Sequence, residues 1–214
     1  MAAPVWAIVV AGGSGQRFGQ RKQFATLGGR PLAEWAVRAC RPVSDGVVLV
    51  VPPGCRGDGD HGADLVVEGG STRANSVRAG LAAVPADAAV ILVHDAARPL
   101  APEAVFRAVV AIVAGGEADG AIPGLPVSDT IKKVDDVQNV TMTLDRNELV
   151  AVQTPQAFRA GLLRQAHAAG AEATDDAALV EALGGRVRVV EGDPRNVKIT
   201  TPADLRTAEH FLGA

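Results

Sequence analysis

Short, continuous apolar runs alternate with helix-spaced segments along most of the chain. Residues 5–10 (VWAIVV), 46–51 (GVVLVV), 65–68 (LVVE), 90–99 (VILVHDAARP), 118–124 (ADGAIPG) and 186–192 (RVRVVEG) read as strands. Helical patterns fill 31–40, 71–84, 102–116 and 174–185, and a last helix starts at Thr201-Pro202 within 196–212. Local chemistry agrees with these boundaries. Pro31 and Pro102 suit first helical turns, Ser71 or Thr72 and Thr174 are cap residues, and Gly115-Gly116 and Gly184-Gly185 stop helices. Strands that are apolar throughout, rather than alternating, have both faces covered. The order therefore predicts an α/β fold with a mostly parallel sheet. In such sheets ligands bind beyond the carboxyl ends of the strands, which singles out the loops 11–24, 52–62, 69–72, 94–99 and 123–130.

The pattern breaks between 126 and 152. PVSDTIKKVDD (126–136) and NVTMTLDRNELVAV (139–152) read as two β segments joined at residues 135–138, with no helix between. This is an arm inserted into the α/β order. Its exposed strand edges call for a partner, so a homodimer through the arm is expected.

Composition narrows the function. The 214 residues suit one large domain, and 48% apolar content is enough for a sizeable core. The net charge of −3 argues against a general nucleic-acid binder, and 3% aromatics with no Tyr leaves no stacking platform for single strands. No apolar run reaches membrane-spanning length. The N-terminal apolar run lacks a basic leader and passes directly into a glycine loop, so a cytoplasmic protein is expected. Cys40 and Cys55 have neither the spacing nor the histidines of a zinc site, and Cys40 reads as a small core residue.

The loop AGGSGQRFGQRKQF (11–24) carries the strongest chemical signal. No glycine precedes Lys-Ser or Lys-Thr at Walker A spacing. Gly13 and Gly15 satisfy the start of a dinucleotide fingerprint, but Phe18 stands where the third glycine permits close helix packing. What remains is a glycine loop followed by Arg17 and Lys22. It reads either as a polyphosphate cradle closed by two cations, or as a surface turn with solvated cations. VHDAARP (93–99) sets Asp95 and Arg98 at a strand mouth, as a metal or phosphate contact with an anion clamp, or as a simple ion pair; His94 reads as a core histidine. In EGGSTRANSVRAG (68–80), Gly69, Gly70 and Ser71 precede a helix, which suits contact with a base edge or phosphate as well as an ordinary capped start. Lys198 in NVKITTP, and Thr143, Asp145 and Arg146 on the arm, are equally open to solvation or function.

Taken together, AGGSGQRFG…KQF, GGSTRANSV, VHDAARP, VSDTIK, TLDRNEL, TPQAF, TDDA and EGDPRNVKIT resemble, in order over nearly the whole chain, the 2-C-methyl-D-erythritol 4-phosphate cytidylyltransferases of the non-mevalonate isoprenoid route. The resemblance implies a single Rossmann-like nucleotidyltransferase domain over 1–214, with CTP and methylerythritol phosphate as substrates and Mg2+ as cofactor. It casts Ala11, Gly12, Gly13, Gly15, Gly70, Ser71, Ser76 and Asp95 as CTP-binding. Arg17, Lys22 and Lys198 are cast as catalytic, Arg98, Asp129 and Thr143 as acceptor-binding, and Asp95 as a metal contact. Many members have two arginines where this chain has Gln16-Arg17, and some have Asp where Ser71 stands. Arg159 falls one residue from the place of an acceptor-binding arginine in relatives.

The implied reaction is in-line attack of a phosphate oxygen on the α-phosphorus of CTP. A phosphate monoester is already ionised at neutral pH, which fits a chain with no recognisable general-base set. The alternatives are a cytidylyltransferase for another polyol phosphate such as ribitol 5-phosphate, and a CTP-binding module without turnover. With the chain ending at Ala214, no fused cyclase is expected.

Overall fold

A computed structural model describes residues 3–12, 25–168 and 170–213. In chain order the elements open with β1 (Val5–Val10), the short hairpin β2 (Thr26–Leu27) and β3 (Arg30–Pro31), α1 (Leu32–Cys40), β4 (Gly46–Val51) and β5 (Leu65–Glu68). The middle of the chain forms α2 (Arg73–Ala83), β6 (Val90–Asp95), α3 (Glu103–Ala114), β7 (Gly120–Pro126), β8 (Lys132–Val134) and β9 (Val140–Thr143). It ends with β10 (Val150–Val152), β11 (Gln156–Arg159), α4 (Ala160–Ala168), α5 (Asp176–Ala182), β12 (Val187–Glu191) and α6 (Pro202–Gly213).

Among the described residues, eight strands build one sheet in the order β10-β7-β11-β6-β1-β4-β5, with β12 also on β7. The pairings β1–β4, β1–β6, β4–β5 and β7–β12 are parallel, and those of β10 and β11 are antiparallel. Alternate residues of the central strands feed opposite faces, as the strand period of two demands. Ala7, Val9, Leu49 and Leu92 pack with Ala36 and Val37 of α1 and Phe106 and Val109 of α3. Ile8, Val50, Ile91 and Val93 pack with Val77 of α2, Leu163 of α4 and Val180 of α5. Helices thus cover both faces, which is why the strands are apolar throughout. Each fully buried Leu or Ile contributes about 2 kcal/mol relative to exposure. Gly80 lets α2 lie close to the sheet, since a Cβ there would stand 2.5 Å from Ile8.

A third apolar cluster joins Leu27 and Leu32 to Ile199 and Ala208, seating α6 on the small hairpin. Trp35 Nε1 donates to the Leu27 carbonyl at 2.9 Å, and the Arg30 guanidinium lies 4.7 Å above its ring. No helix among the described residues is long and apolar enough to cross a membrane.

The structure amends the expected pattern at several points. The arm is shorter than 126–152: only β8 and β9 form a separate hairpin, and β10 returns to the main sheet beside β7. A 3-10 turn at Arg146–Glu148, capped by Asp145, lies where no helix was expected. The turn between β8 and β9 falls as read, because Asp135 Oδ1 accepts from the backbones of Val137 and Asn139. Helix α5 is capped by Asp175, which accepts from Ala178 N, and not by Thr174. Thr72 caps α2. The stretch 153–173, unassigned from sequence, holds β11 and α4. Four residues with polar ends are too few for a strand signal, although Ala160, Leu163 and Ala166 do recur at helical spacing and are buried.

Candidate active site

The parallel strands β1, β4, β5 and β6 end at one edge of the sheet, and polar residues gather there. β6 carries His94 and Asp95 at its last two positions. Asp95 Oδ2 accepts from Lys198 Nζ at 2.7 Å, and Oδ1 accepts from Arg73 Nε at 3.2 Å. Burial on its own would raise the Asp95 carboxyl, but Arg73 and then Lys198 outweigh it and hold the group well below the usual carboxylate range. The site therefore offers one permanently ionised carboxylate between two cations.

Arg98 lies one turn further along the loop. It does not pair with Asp95. Its Nη1 donates to the Asn196 carbonyl at 2.6 Å and Nη2 to that of Val152 at 3.4 Å. Burial lowers its pKa and the field of Asp95 partly restores it. Its Nε is buried without a partner among the described residues. A guanidinium held by two carbonyls keeps its charge unneutralised, which an anion would relieve. A cavity of about 280 Å3 opens here, lined by Arg73, Asp95, Arg98, Lys198, Thr154, Gln156, Thr174 and Asp175 together with Val152 and Gln153.

A buried network fixes this cavity. Asp95 N–H donates to Thr154 Oγ1 at 3.0 Å, and Thr154 Oγ1 lies 3.1 Å from His94 Nδ1. His94 Nε2 lies 3.1 Å from the Arg98 carbonyl, which only accepts. That assigns the proton to Nε2 and leaves Nδ1 to accept from Thr154. Burial pulls the His94 pKa down to about 4, so the ring stays neutral and serves as a brace. Asn196, fully buried, donates to Gln153 Oε1 and to the Thr154 carbonyl, tying the Lys198 segment to the link between β10 and β11. Ile199 N–H donates to the Ala97 carbonyl at 2.8 Å, which sets Lys198 opposite Asp95.

A second cluster lies at the ends of β1 and β5. Ala11 is buried, its N–H on the Val50 carbonyl at 2.8 Å. A Cβ on Gly12 would stand 2.8 Å from Ser76 Oγ, and one on Gly69 2.5 Å from the same atom. Gly12, Gly69 and Ser76 therefore converge because two of them lack side chains. Ser76 and Arg73 both belong to α2, so one helix serves the glycine cluster and the cationic cavity.

The model of the 2-C-methyl-D-erythritol 4-phosphate cytidylyltransferase family matches residues 5–214. A protein of Rhodococcus opacus bearing that name is 50% identical, with 98% of this chain and 95% of the relative covered. Its counterpart in Nocardia farcinica is 47% identical over 97% of this chain and 94% of its own length. The crystal structure of the Thermus thermophilus enzyme superposes with a TM-score of 0.81 at 37% identity, covering 97% of this chain and 98% of its own. The chain belongs to this family.

Of the residues that the cytidylyltransferase resemblance singled out, the structure brings Asp95, Arg98 and Lys198 to one cavity, and Ala11, Gly12 and Ser76 to one corner, while Gly70 follows Gly69 of that corner and faces Asn75. Ser71 is exposed beside them, its Oγ 3.4 Å from Asn75 Nδ2. Gly13, Gly15, Arg17 and Lys22 lie outside the described residues. Asp129 and Thr143 sit exposed on the arm, with Lys132 Nζ on Thr143 Oγ1 at 2.6 Å, and neither lines the cavity of its own chain. Arg159 pairs with Val90 at the start of β6, about 16 Å along the strand from Asp95, and bonds Asp119 instead. The simple Asp95–Arg98 ion pair is replaced by the Arg73–Asp95–Lys198 bridge. Sequence reading missed Arg73 as a partner of Asp95, and Asp176 behind it; the paired acids of TDDA were the available signal. Among the described residues no three His, Cys, Asp or Glu side chains group as metal ligands.

Proposed function

We propose that this chain transfers CMP from CTP to 2-C-methyl-D-erythritol 4-phosphate, releasing pyrophosphate, as a cytoplasmic step of isoprenoid precursor biosynthesis. The observation that carries the reading is the cavity in which Arg73, Arg98 and Lys198 surround the ionised Asp95 beyond the strand ends. That charge pattern suits a phosphate monoester, and the glycine corner beside it suits a nucleotide.

The reaction needs no general base, since the attacking phosphate oxygen is ionised near pH 7. It needs positioning and neutralisation. Arg98, clamped by two carbonyls, orients the acceptor phosphate. Lys198 leans from Asp95 toward the α-phosphate as charge grows there. Arg17 and Lys22 take the same role along the triphosphate, as the family resemblance implies. Gly70, Ser71 and Ser76 receive the base and ribose. The ionised oxygens of Asp95 fit a hard divalent cation, and a single protein carboxylate with phosphate oxygens is an ordinary Mg2+ environment. When bound, Mg2+ would neutralise triphosphate charge.

The β8–β9 hairpin supports a homodimer. It exposes Val134, Val137, Val140 and Met142 on a two-stranded sheet that pairs with no other strand among the described residues. Asp129 and Thr143 would then serve the cavity of the partner copy, which accounts for their distance from their own. Incubation with CTP and, in turn, methylerythritol phosphate and ribitol 5-phosphate, followed by pyrophosphate release, tests the reading. Preference for methylerythritol phosphate is expected; preference for ribitol phosphate, or binding of CTP without release, would reject it.

A further inference from the structure

Arg73 is held between two carboxylates. Its Nε donates to Asp95 Oδ1 at 3.2 Å, and its Nη1 donates to Asp176 Oδ2 at 2.8 Å. Asp176 lies in the first turn of α5 with 1% of its surface exposed, behind the cavity and outside its lining. Its other oxygen, Oδ1, lies 2.9 Å from Nε2 of His167, which is 2% exposed near the end of α4. His167 Nδ1 has no hydrogen-bond partner among the described residues. A carboxylate this deep costs several kcal/mol unless fully paired, and an apolar pair would pack the α4–α5 contact at least as well. The same segment is tied to the opening turn of α2 from outside, where Glu172 Oε1 accepts from Thr72 Oγ1 and from Arg78 Nη2, both at 2.9 Å. Arg78 Nη1 also donates to the Ala171 carbonyl at 3.2 Å, so α2 is tied to the α4–α5 segment through Thr72 and Arg78 on the outside and through Arg73 on the inside.

We propose that Asp176, backed by His167, is a positioning residue for nucleotidyl transfer, acting through Arg73. Asp176 fixes the guanidinium so that Arg73 stays on Asp95. While Arg73 shares Asp95, Lys198 is not its sole counter-ion and can pass to a phosphate. Without that share, Asp95 holds Lys198 back. The inference rests on the cytidylyl-transfer reading for its kinetic arm only.

Asp176→Asn is expected to lower kcat roughly 10- to 100-fold, as loss of an orienting contact does, with the KM for CTP within about threefold. Asp176→Glu restores most of it. In an Arg73→Lys background, where one ammonium cannot span both carboxylates, Asp176→Asn adds less than about twofold. Effects that multiply in the double variant, or a change in KM alone, overturn the proposal. If Asp176→Asn does not fold, His167→Leu against His167→Gln makes the same comparison, because Gln retains a donor toward Asp176. Equal kcat for those two overturns it. The second readout needs no turnover. The Arg73 Nε–H resonance exchanges slowly with solvent in the unaltered chain and fast in Asp176→Asn; unchanged exchange overturns the proposal. Absence of turnover in the unaltered chain would remove the functional reading, and the resonance would still decide the Asp176–Arg73 link.

Discussion

His94 makes the stability of the fold depend on pH between about 6.5 and 4. The ring is fully buried, braced between Thr154 and the Arg98 carbonyl, with its pKa drawn down by burial from 6.5 to about 4. The unfolded chain takes up its proton near 6.5, and the folded chain only near 4. Stability is therefore complete above 6.5, falls as pH drops from 6.5 to 4, and levels off below. Linkage between those two values puts the loss from pH 7.5 to 4.5 at about 2–3 kcal/mol from this group alone. Urea unfolding followed by the fluorescence of Trp6 and Trp35 at stepped pH measures it. His94→Gln retains a donor toward the Arg98 carbonyl but does not titrate. The unaltered chain should lose about 2–3 kcal/mol more than this variant across the window. Parallel stability curves for the two chains would refute a buried neutral His94 and with it the assigned tautomer.

Lys198→Ala should lower turnover at least ~100-fold in a pyrophosphate-release assay, as loss of a transition-state charge contact does, and near-normal turnover would remove Lys198 from the mechanism. Gly12→Ala drives a methyl to within 2.8 Å of Ser76 Oγ, with Ser76 Cβ next at 3.5 Å. It should destabilise by about 1–3 kcal/mol in urea unfolding, and Ser76→Ala in the same chain should recover most of that. No recovery would show that the contact is not the cause. Val140→Glu with Met142→Lys should convert dimer to monomer in sedimentation velocity without lowering thermal stability much, because both side chains are more than half exposed in the single chain; an unchanged sedimentation coefficient would reject the arm as the interface.

The alternation of apolar runs and helical periods was enough to place the central strands, because burial on both faces leaves an unbroken apolar signature in each. The edge of the sheet was less legible. β10 and β11 are three and four residues long, exposed or polar at their ends, and defined by pairing with β7 rather than by composition. For the site, Asp95, Arg98 and Lys198 stood out because charged residues at the mouth of a buried strand, or within a β-like stretch, contradict their surroundings. Their partners did not. Arg73 looked like any cation in the first turn of a helix, and its bond to Asp176 spans 103 residues of chain. Such a pairing has no local pattern. The residues that hold Arg98, Asn196 and Val152, act through backbone carbonyls and so leave no side-chain signature.

The anchoring of Lys198 has a consequence for biosynthesis. Residues 196–208 supply the clamp on Arg98, the ammonium facing Asp95, and the apolar seat for the β2–β3 hairpin. Ribosomes add these residues after the strands β1, β4, β5 and β6 have left the exit tunnel. The residues of the glycine corner, Gly12, Gly69 and Ser76, are therefore made well before the cavity around Asp95 receives Lys198. A nascent chain halted short of residue 196 holds most of its sheet, with Asp95 and Arg98 already made, but lacks the Asn196 carbonyl that holds Arg98 and the Lys198 ammonium that faces Asp95.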